Sequence, residues 1–302
     1  MLKTLQDGRM WLVTQPDHAQ VAGYLAAHWG NDAFMRPGYF ASAPDPERLR
    51  AETVMAVAQH DNGWWEWEAT PDLADVDGFP SALKDVLKNQ QAGMNRWRLG
   101  LRRFDNAPYA NLLISYHAYW LYAARTLPDP DPAFTHTLFW KGSSEKLYSG
   151  KRGKEHDFIT ELEQLQQQWM EVLRADAATA SWIEPGNLNP NARLLQLLDG
   201  LSLSLCSALV PARSGETKGL GEAEFELREV PRRNWTDRVT VQVTPLGERR
   251  IVLSPYPFDQ DPLPVSVLAR VFDLPAERSG HFQTWWHAKP LEVVEFQYRS
   301  GA

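Results

Sequence analysis

The sequence predicts a mainly α-helical protein with a small, antiparallel, β-rich part at its C-terminal end. Three observations carry that expectation. Helix-start signals and apolar residues at i, i+3, i+4 spacing recur over residues 1–212. A Gly-rich polar stretch, residues 212–221, then interrupts the pattern and reads as a linker. Beyond it come short runs of alternating apolar residues separated by turn residues. The expected division is therefore a helical domain, residues 1–212, and a β-rich segment, residues 213–302, that packs on the first or stands apart.

Each element has its own signal. Thr14, Pro16 and Asp17 form a helix start, with a capping hydroxyl, a first-turn proline and an acid three residues after the cap. That helix runs to about Trp29. Asp45-Pro46 opens a second helix, stopped by Asn62-Gly63. Ser81 caps a third, through about Phe104. A fourth spans residues 108–127 and is ended by Pro128 and Pro130. Residues 127–153 read as a long loop rich in Pro, Gly, Ser and Lys. A fifth helix, residues 154–183, carries the stripe Phe158, Leu162, Leu165, Trp169 and Val172. The sixth, residues 191–210, follows the turn signal Glu184-Pro185-Gly186-Asn187. After the linker, Val239, Val241 and Val243, then Ile251 and Leu253, then Val265, Val267, Ala269 and Val271, and finally residues 291–298 alternate as strands do. They read as part of a set of about five short, mostly antiparallel strands.

Composition excludes several classes. The 302 residues are 43% hydrophobic and 23% charged, ordinary globular values that exclude a disordered chain. The net charge of −7 disfavours nucleic acid as a partner. The only cysteine, Cys206, excludes an internal disulfide and a cysteine metal cluster. The start, MLKTLQDGRMW, lacks the apolar stretch of a signal peptide. The longest apolar stretch, residues 194–210, contains Asp199 and several serines, so it reads as a buried helix and not a membrane span. A cytoplasmic protein is expected, with its oligomeric state left open. Tryptophan is unusually frequent, at 13 residues.

Polar residues on apolar helix faces point to chemistry. His18 shares a stripe with Val21, Ala22, Leu25 and Trp29. His60 shares one with Leu49, Thr53, Ala56 and Val57, and Asp61 follows directly. His117 lies with Leu113, Trp120, Leu121 and Ala124. Asp199 lies with Leu195, Leu198, Ser202 and Cys206. Each should point inward. A carboxylate in the middle of an apolar helix must be paired, hydrogen-bonded or metal-bound, and no Lys or Arg lies within one turn of Asp199. Bonding to a hydroxyl such as Ser202 is one solution and a divalent cation is another. Histidine and carboxylate together suit Zn, Mn or Fe. Adjacent His60 and Asp61 point about 100° apart on a helix, so both reach one ion only near a helix end, which Asn62-Gly63 supplies. A core histidine or a helix-terminal His-Asp pair is the bland alternative for each residue taken alone.

The order His … His-Asp … Asp, with QHDNGWW around His60-Asp61, resembles the HD-domain metal-dependent phosphohydrolase superfamily. The segments QPDHAQVAGYLA, AQHDNGWWEWE and LLQLLDGLSLSLC are also similar to an uncharacterised bacterial family, a domain of unknown function. The superfamily resemblance implies an HD-like helical bundle holding one divalent metal ion, or two, of Zn, Mn, Fe, Mg or Ni. It implies His18, His60, Asp61 and Asp199 as metal ligands, and Asp61 and His117 as catalytic groups. His117 then helps hold a second ion, with His136 or His156, or binds substrate phosphate, and Asp61 bridges. Trp64 stands where many members carry Lys, which argues against the cyclic-dinucleotide branch.

Two basic clusters suit an anionic substrate or are solvated surface: Arg96, Arg98, Arg102 and Arg103, and Lys141, Lys146, Lys151, Arg152 and Lys154. Trp64, Trp65 and Trp67 follow His60-Asp61, and Trp29 and Trp120 share faces with His18 and His117. They are expected to wall the pocket. The functional expectation is hydrolysis of a small phosphorylated substrate by a metal-activated water. An HD-like di-iron oxygenase and a non-enzymatic metal-binding or scaffold protein are the alternatives.

Overall fold

The computed structural model describes residues 1–82, 89–137, 153–207, 220–274 and 280–301. The chain opens with a hairpin, not a helix. Strands β1 (Leu2–Gln6) and β2 (Arg9–Val13) pair antiparallel across Asp7-Gly8, both at positive φ. An Asp-Gly pair between two apolar runs matches the right-handed twist of a tight two-residue turn.

Helix α1 (Gln15–Ala27) follows at once, and the Thr14 side chain accepts from the Asp17 N–H as the sequence predicts. Helix α2 (Pro46–Ala58) is capped by Asp45. Next come a 3-10 turn (Asn62–Trp64), the short α3 (Trp65–Ala69), α4 (Gln90–Gly100) and α5 (Pro108–Thr126). Then α6 (Lys154–Ala175) and α7 (Pro185–Cys206) complete the helical part. Helix α7 is the centre: residues 192–206 are buried without a break. It packs against α1, α2 and α5, and also against β1 and β3. Each fully buried leucine on it contributes roughly 1.5–3 kcal/mol, and a helix apolar on all sides must lie inside.

Strands β3 (Phe225–Asn234), β4 (Asp237–Gly247), β5 (Arg250–Ser254), β6 (Leu263–Asp273) and β7 (Glu292–Ser300) complete one sheet in the order β1-β2-β6-β7-β5-β4-β3. A short helix, α8 (Phe282–Ala288), precedes β7.

The expectation of a mainly α, HD-like bundle with a small antiparallel β part is therefore corrected, as is an all-α description. The sheet has seven strands, it is mixed because β5 and β7 run parallel, and β2 pairs with β6. Residues 2–13, expected in the helical domain, thus belong to the same sheet as the C-terminal strands. Local periodicity missed this because a strand's partner is a long-range choice, and five-residue runs carry little periodic signal.

Smaller differences have local causes. Of the third expected helix, the structure describes α4 with its cap at Asn89; residues 83–88, which follow Ser81, lie outside the described residues. The fifth stops at Ala175, and Val172 is 60% exposed while Leu173 is buried. The sixth starts at Pro185, whose fixed φ suits the first helical position. Lys141, Lys146, Lys151 and Arg152, and most of the expected linker, lie outside the described residues.

Candidate metal centre

Five separate segments deliver six buried side chains to one place. His18 comes from α1, His60 and Asp61 from the turn after α2, and His117 from α5. His136 follows the 3-10 turn Pro132–Phe134, and Asp199 comes from α7. None is more than 6% exposed, and Asp61 is the most exposed of the set. The α2 helix ends at Ala58, so His60 and Asp61 leave the helical path and turn towards the same space.

Asp199 is the hub. Its Oδ1 lies 3.2 Å from His60 Nε2 and 3.8 Å from His18 Nδ1. Its Oδ2 lies 2.8 Å from His136 Nε2 and 3.4 Å from His117 Nε2. Two triads result, His18–His60–Asp199 and His117–His136–Asp199, each with ligand atoms within 4.8 Å of one another. Asp61 adjoins the first, with Oδ2 2.9 Å from His18 Nε2 and 3.8 Å from His60 Nε2. His156 is in neither triad.

The hydrogen bonds around the cluster assign the tautomers. Ser202 Oγ donates to the Asp199 backbone carbonyl at 2.9 Å, so it must accept from His18 Nδ1 at 3.0 Å. His60 Nδ1 donates to the Val57 carbonyl at 2.7 Å. His60 therefore turns its Nε2 towards Asp199 Oδ1 at 3.2 Å, and His18 Nε2 is in hydrogen-bond contact with Asp61 Oδ2 at 2.9 Å. His60 Nε2 has no hydrogen bond despite its burial, and neither has His117 Nδ1. A lone pair facing a carboxylate is repulsive unless a cation, a proton or a metal ion, stands between them. Imidazoles whose second nitrogen is tied to a carbonyl or hydroxyl are the usual support of a metal-ligating histidine.

Electrostatics agree with that need. Burial alone would lower the pKa of His60, but the charges of Asp61 and Asp199 outweigh it and raise it to about 9. Burial alone would raise the pKa of Asp199, but His60 and His136 hold it well below the usual carboxylate range. Burial, helped by neighbouring histidines, keeps His117 neutral, its pKa well below the ordinary value. In the metal-free protein a proton on His60 offsets part of the charge of the two carboxylates, and a divalent cation in its place would match this set of N and O donors. Cys206 is buried and burial pushes its thiol pKa far up, so it supplies no nucleophile.

The second triad depends on one face of α7. Arg193 is buried, and its Nη1 donates to the Thr135 carbonyl at 2.8 Å. Its Nη2 donates to the Arg228 carbonyl at 2.6 Å, where a register shift and the positive φ of Glu229 turn the β3 backbone towards it. Gln196 Nε2 donates to the Phe134 carbonyl at 3.2 Å. One turn on, a Cβ at Gly200 would lie 2.6 Å from Thr137 Oγ1. Residues 134–137, with His136 among them, are thus clasped against α7.

Every singled-out ligand, His18, His60, Asp61, His117 and Asp199, reaches the cluster. His136, a weaker candidate than His117, enters as its equal. Its position in a Pro-rich loop gives no periodic signal, and only its residue type marks it. The tryptophans divide. Trp97 meets the His117 ring, with centroids 5.6 Å apart, and Trp64 packs on Trp97 at 5.0 Å. Trp120 stacks on Phe134 beside the His136 segment. Trp29 packs on Phe34 and Phe258 as ordinary core, and Trp65 is 46% exposed. Trp97 lacked the proximity in sequence that singled out the others.

A family described as protein of unknown function (DUF3891) matches residues 1–273, and the chain belongs to that family. No curated protein and no solved structure matches. No described helix is long and apolar enough to cross a membrane.

Proposed function

We propose that the chain is a metal-dependent phosphohydrolase acting on a small phosphorylated substrate, with a two-ion site built on Asp199. The observation that carries the metal is the pair of pinned imidazoles, His18 and His60, whose Nε2 atoms both face buried carboxylates, His60 without a hydrogen bond. His18, His60 and Asp61 would hold one ion and His117 and His136 the other, with Asp199 belonging to both groups. When bound, divalent ions supply Lewis acidity and a water activated for attack at phosphorus. The order of His18, His60-Asp61 and Asp199, similar to that of HD-domain enzymes, supports the phosphoester class.

The chain's own residues have separable roles. Ser202 and Val57 orient the two imidazoles. Trp97 and Trp64 keep bulk water from the His117 side. Asp61, the most exposed acid of the set, would accept the proton of the attacking water. The low cysteine content fits a reducing compartment, and we place the protein in the cytoplasm.

Metal analysis of protein purified without chelator, followed by a panel of nucleotides, sugar phosphates and generic phosphoesters, tests this reading. Bound divalent metal and a phosphoesterase activity abolished by Asp61→Ala are expected. Metal-free protein, or activity that survives Asp61→Ala, overturns it. Four imidazoles and the shared Asp199 in two triads, with Asp61 beside the first, also suit a di-iron oxygenase. Two equivalents of iron with substrate-dependent oxygen consumption, and no hydrolysis, would select that second reading.

A further inference from the structure

We propose that Arg96 is the arm that binds the phosphoryl group of the substrate, holding it over the Asp61 side of the centre through the planar guanidinium. The inference rests on the phosphohydrolase reading and adds a binding residue to it.

The basic cluster Arg96, Arg98, Arg102 and Arg103 is divided by the fold. Arg98 is spent on Glu161, with Nε and Nη2 each 2.7 Å from Oε2. Arg103 is spent on Glu66. Arg96 makes no hydrogen bond and no ion pair among the described residues, and its Nη1 is buried without a partner. A buried cationic donor left unpaired costs more than an ordinary unmade hydrogen bond, so its retention calls for an acceptor that arrives from outside.

The guanidinium is also held in place. It lies over the Trp67 ring at 4.1 Å and over the Trp64 ring at 5.8 Å. Both tryptophans belong to the run directly after His60-Asp61. The backbone beneath is equally tight. A Cβ at Gly63 would lie 2.0 Å from the Arg96 carbonyl oxygen, and one at Gly100 would lie 3.1 Å from Gly63 N. Only glycine at both positions lets α4 lie this close to the turn that carries Asp61. The acids nearest in sequence and space are occupied elsewhere. Glu68 pairs with the Met1 amino group at 3.0 Å and accepts from Gln15 N–H at 2.8 Å. Asp72 accepts from Trp67 Nε1 at 3.4 Å. Burial works to lower the Arg96 pKa, and Glu68, Asp72 and, more weakly, Asp61 are close enough for their charge to oppose that. A flat, stacked guanidinium with free N–H groups beside a cation-binding centre is suited to a phosphoryl group, whose oxygens accept two parallel hydrogen bonds.

Inorganic phosphate binding to the metal-loaded protein, measured by calorimetry, tests the assignment. R96M is expected to weaken phosphate about ten- to hundred-fold, with metal content and melting temperature unchanged. R96K keeps the charge but not the fork and is expected to lose several-fold. With a phosphoester substrate, the loss falls on KM more than on kcat. Phosphate affinity equal to wild type in both variants overturns the proposal. If R96M fails to fold, R96K decides alone, weaker phosphate supporting and unchanged phosphate overturning. Failure of the hydrolase reading is separate: it shows as metal-loaded wild-type protein that cleaves no phosphoester, whether or not Arg96 governs phosphate affinity.

Discussion

His136 Nε2 lies 2.8 Å from Asp199 Oδ2, while Asp199 Oδ1 faces His60 Nε2 at 3.2 Å. The two oxygens of one carboxylate therefore serve two different groups of histidines. The resemblance to HD-domain enzymes implied Asp61 as the shared carboxylate. In the structure Asp199 is the carboxylate that belongs to both triads, and Asp61 lies beside the first.

Asp199→Asn should accordingly remove metal from both positions, because it takes the shared charge while keeping the volume. Asp61→Ala should weaken one position and leave the His117–His136 position loaded. Elemental analysis after dialysis distinguishes the two variants. Equal losses in both would contradict the sharing.

Ser202→Ala removes a hydroxyl that lies outside both triads. It frees His18 Nδ1 and lets the ring change tautomer. Supporting groups of this kind are worth about 10- to 100-fold in metal affinity. A competition titration against a chelator should show a loss in that range. An unchanged affinity would mean that the His18 tautomer is held by something else.

Gly200→Ala should act on the second position alone. The new Cβ would meet Thr137 Oγ1 at 2.6 Å and push the His136 segment from α7. Overpacking of this kind costs about 1–3 kcal/mol. Metal stoichiometry should fall from two towards one, with the His18–His60 position retained. Loss of both, or of neither, would speak against the clasp.

The pH response follows from His60. Burial works to lower its pKa, yet Asp61 and Asp199 raise it to about 9. The folded value exceeds the unfolded one of about 6.5. Protonation of His60 thus stabilises the metal-free protein fully below about pH 6.5, and that contribution fades as pH rises through about 9. A metal ion competes for the same Nε2 lone pair, so its affinity should rise over this window and its binding should release protons. Thermal melts of chelator-treated protein should show a midpoint that falls between about pH 6.5 and 9, with a smaller fall in metal-loaded protein. Identical profiles with and without metal would separate His60 from the site.

Much of the centre was legible in the sequence. His18, His117 and Asp199 lie on apolar stripes, and a polar group on an apolar stripe must point inward. His60-Asp61 beside Asn62-Gly63 announced a helix end, and α2 does end just before them. The Thr14 cap and the Pro-stopped α5 were equally plain, because their causes lie within a few residues. The Asp7-Gly8 hairpin has an equally local cause, but the apolar runs beside it are only five residues each and carry little periodic signal.

What the sequence by itself determined was the residue types and the faces that must be buried, because helix periodicity and the cost of burying charge act within one element. What only the tertiary structure decided was partnership. It joined β2 to β6 across the whole chain and brought His136 in from an irregular loop. It set Asp199 between two groups of histidines, and it left Arg96 unpaired while Arg98 and Arg103 found carboxylates. Each of these depends on which distant segments pack together, a choice made by the burial of whole surfaces and not by the spacing of neighbours along the chain.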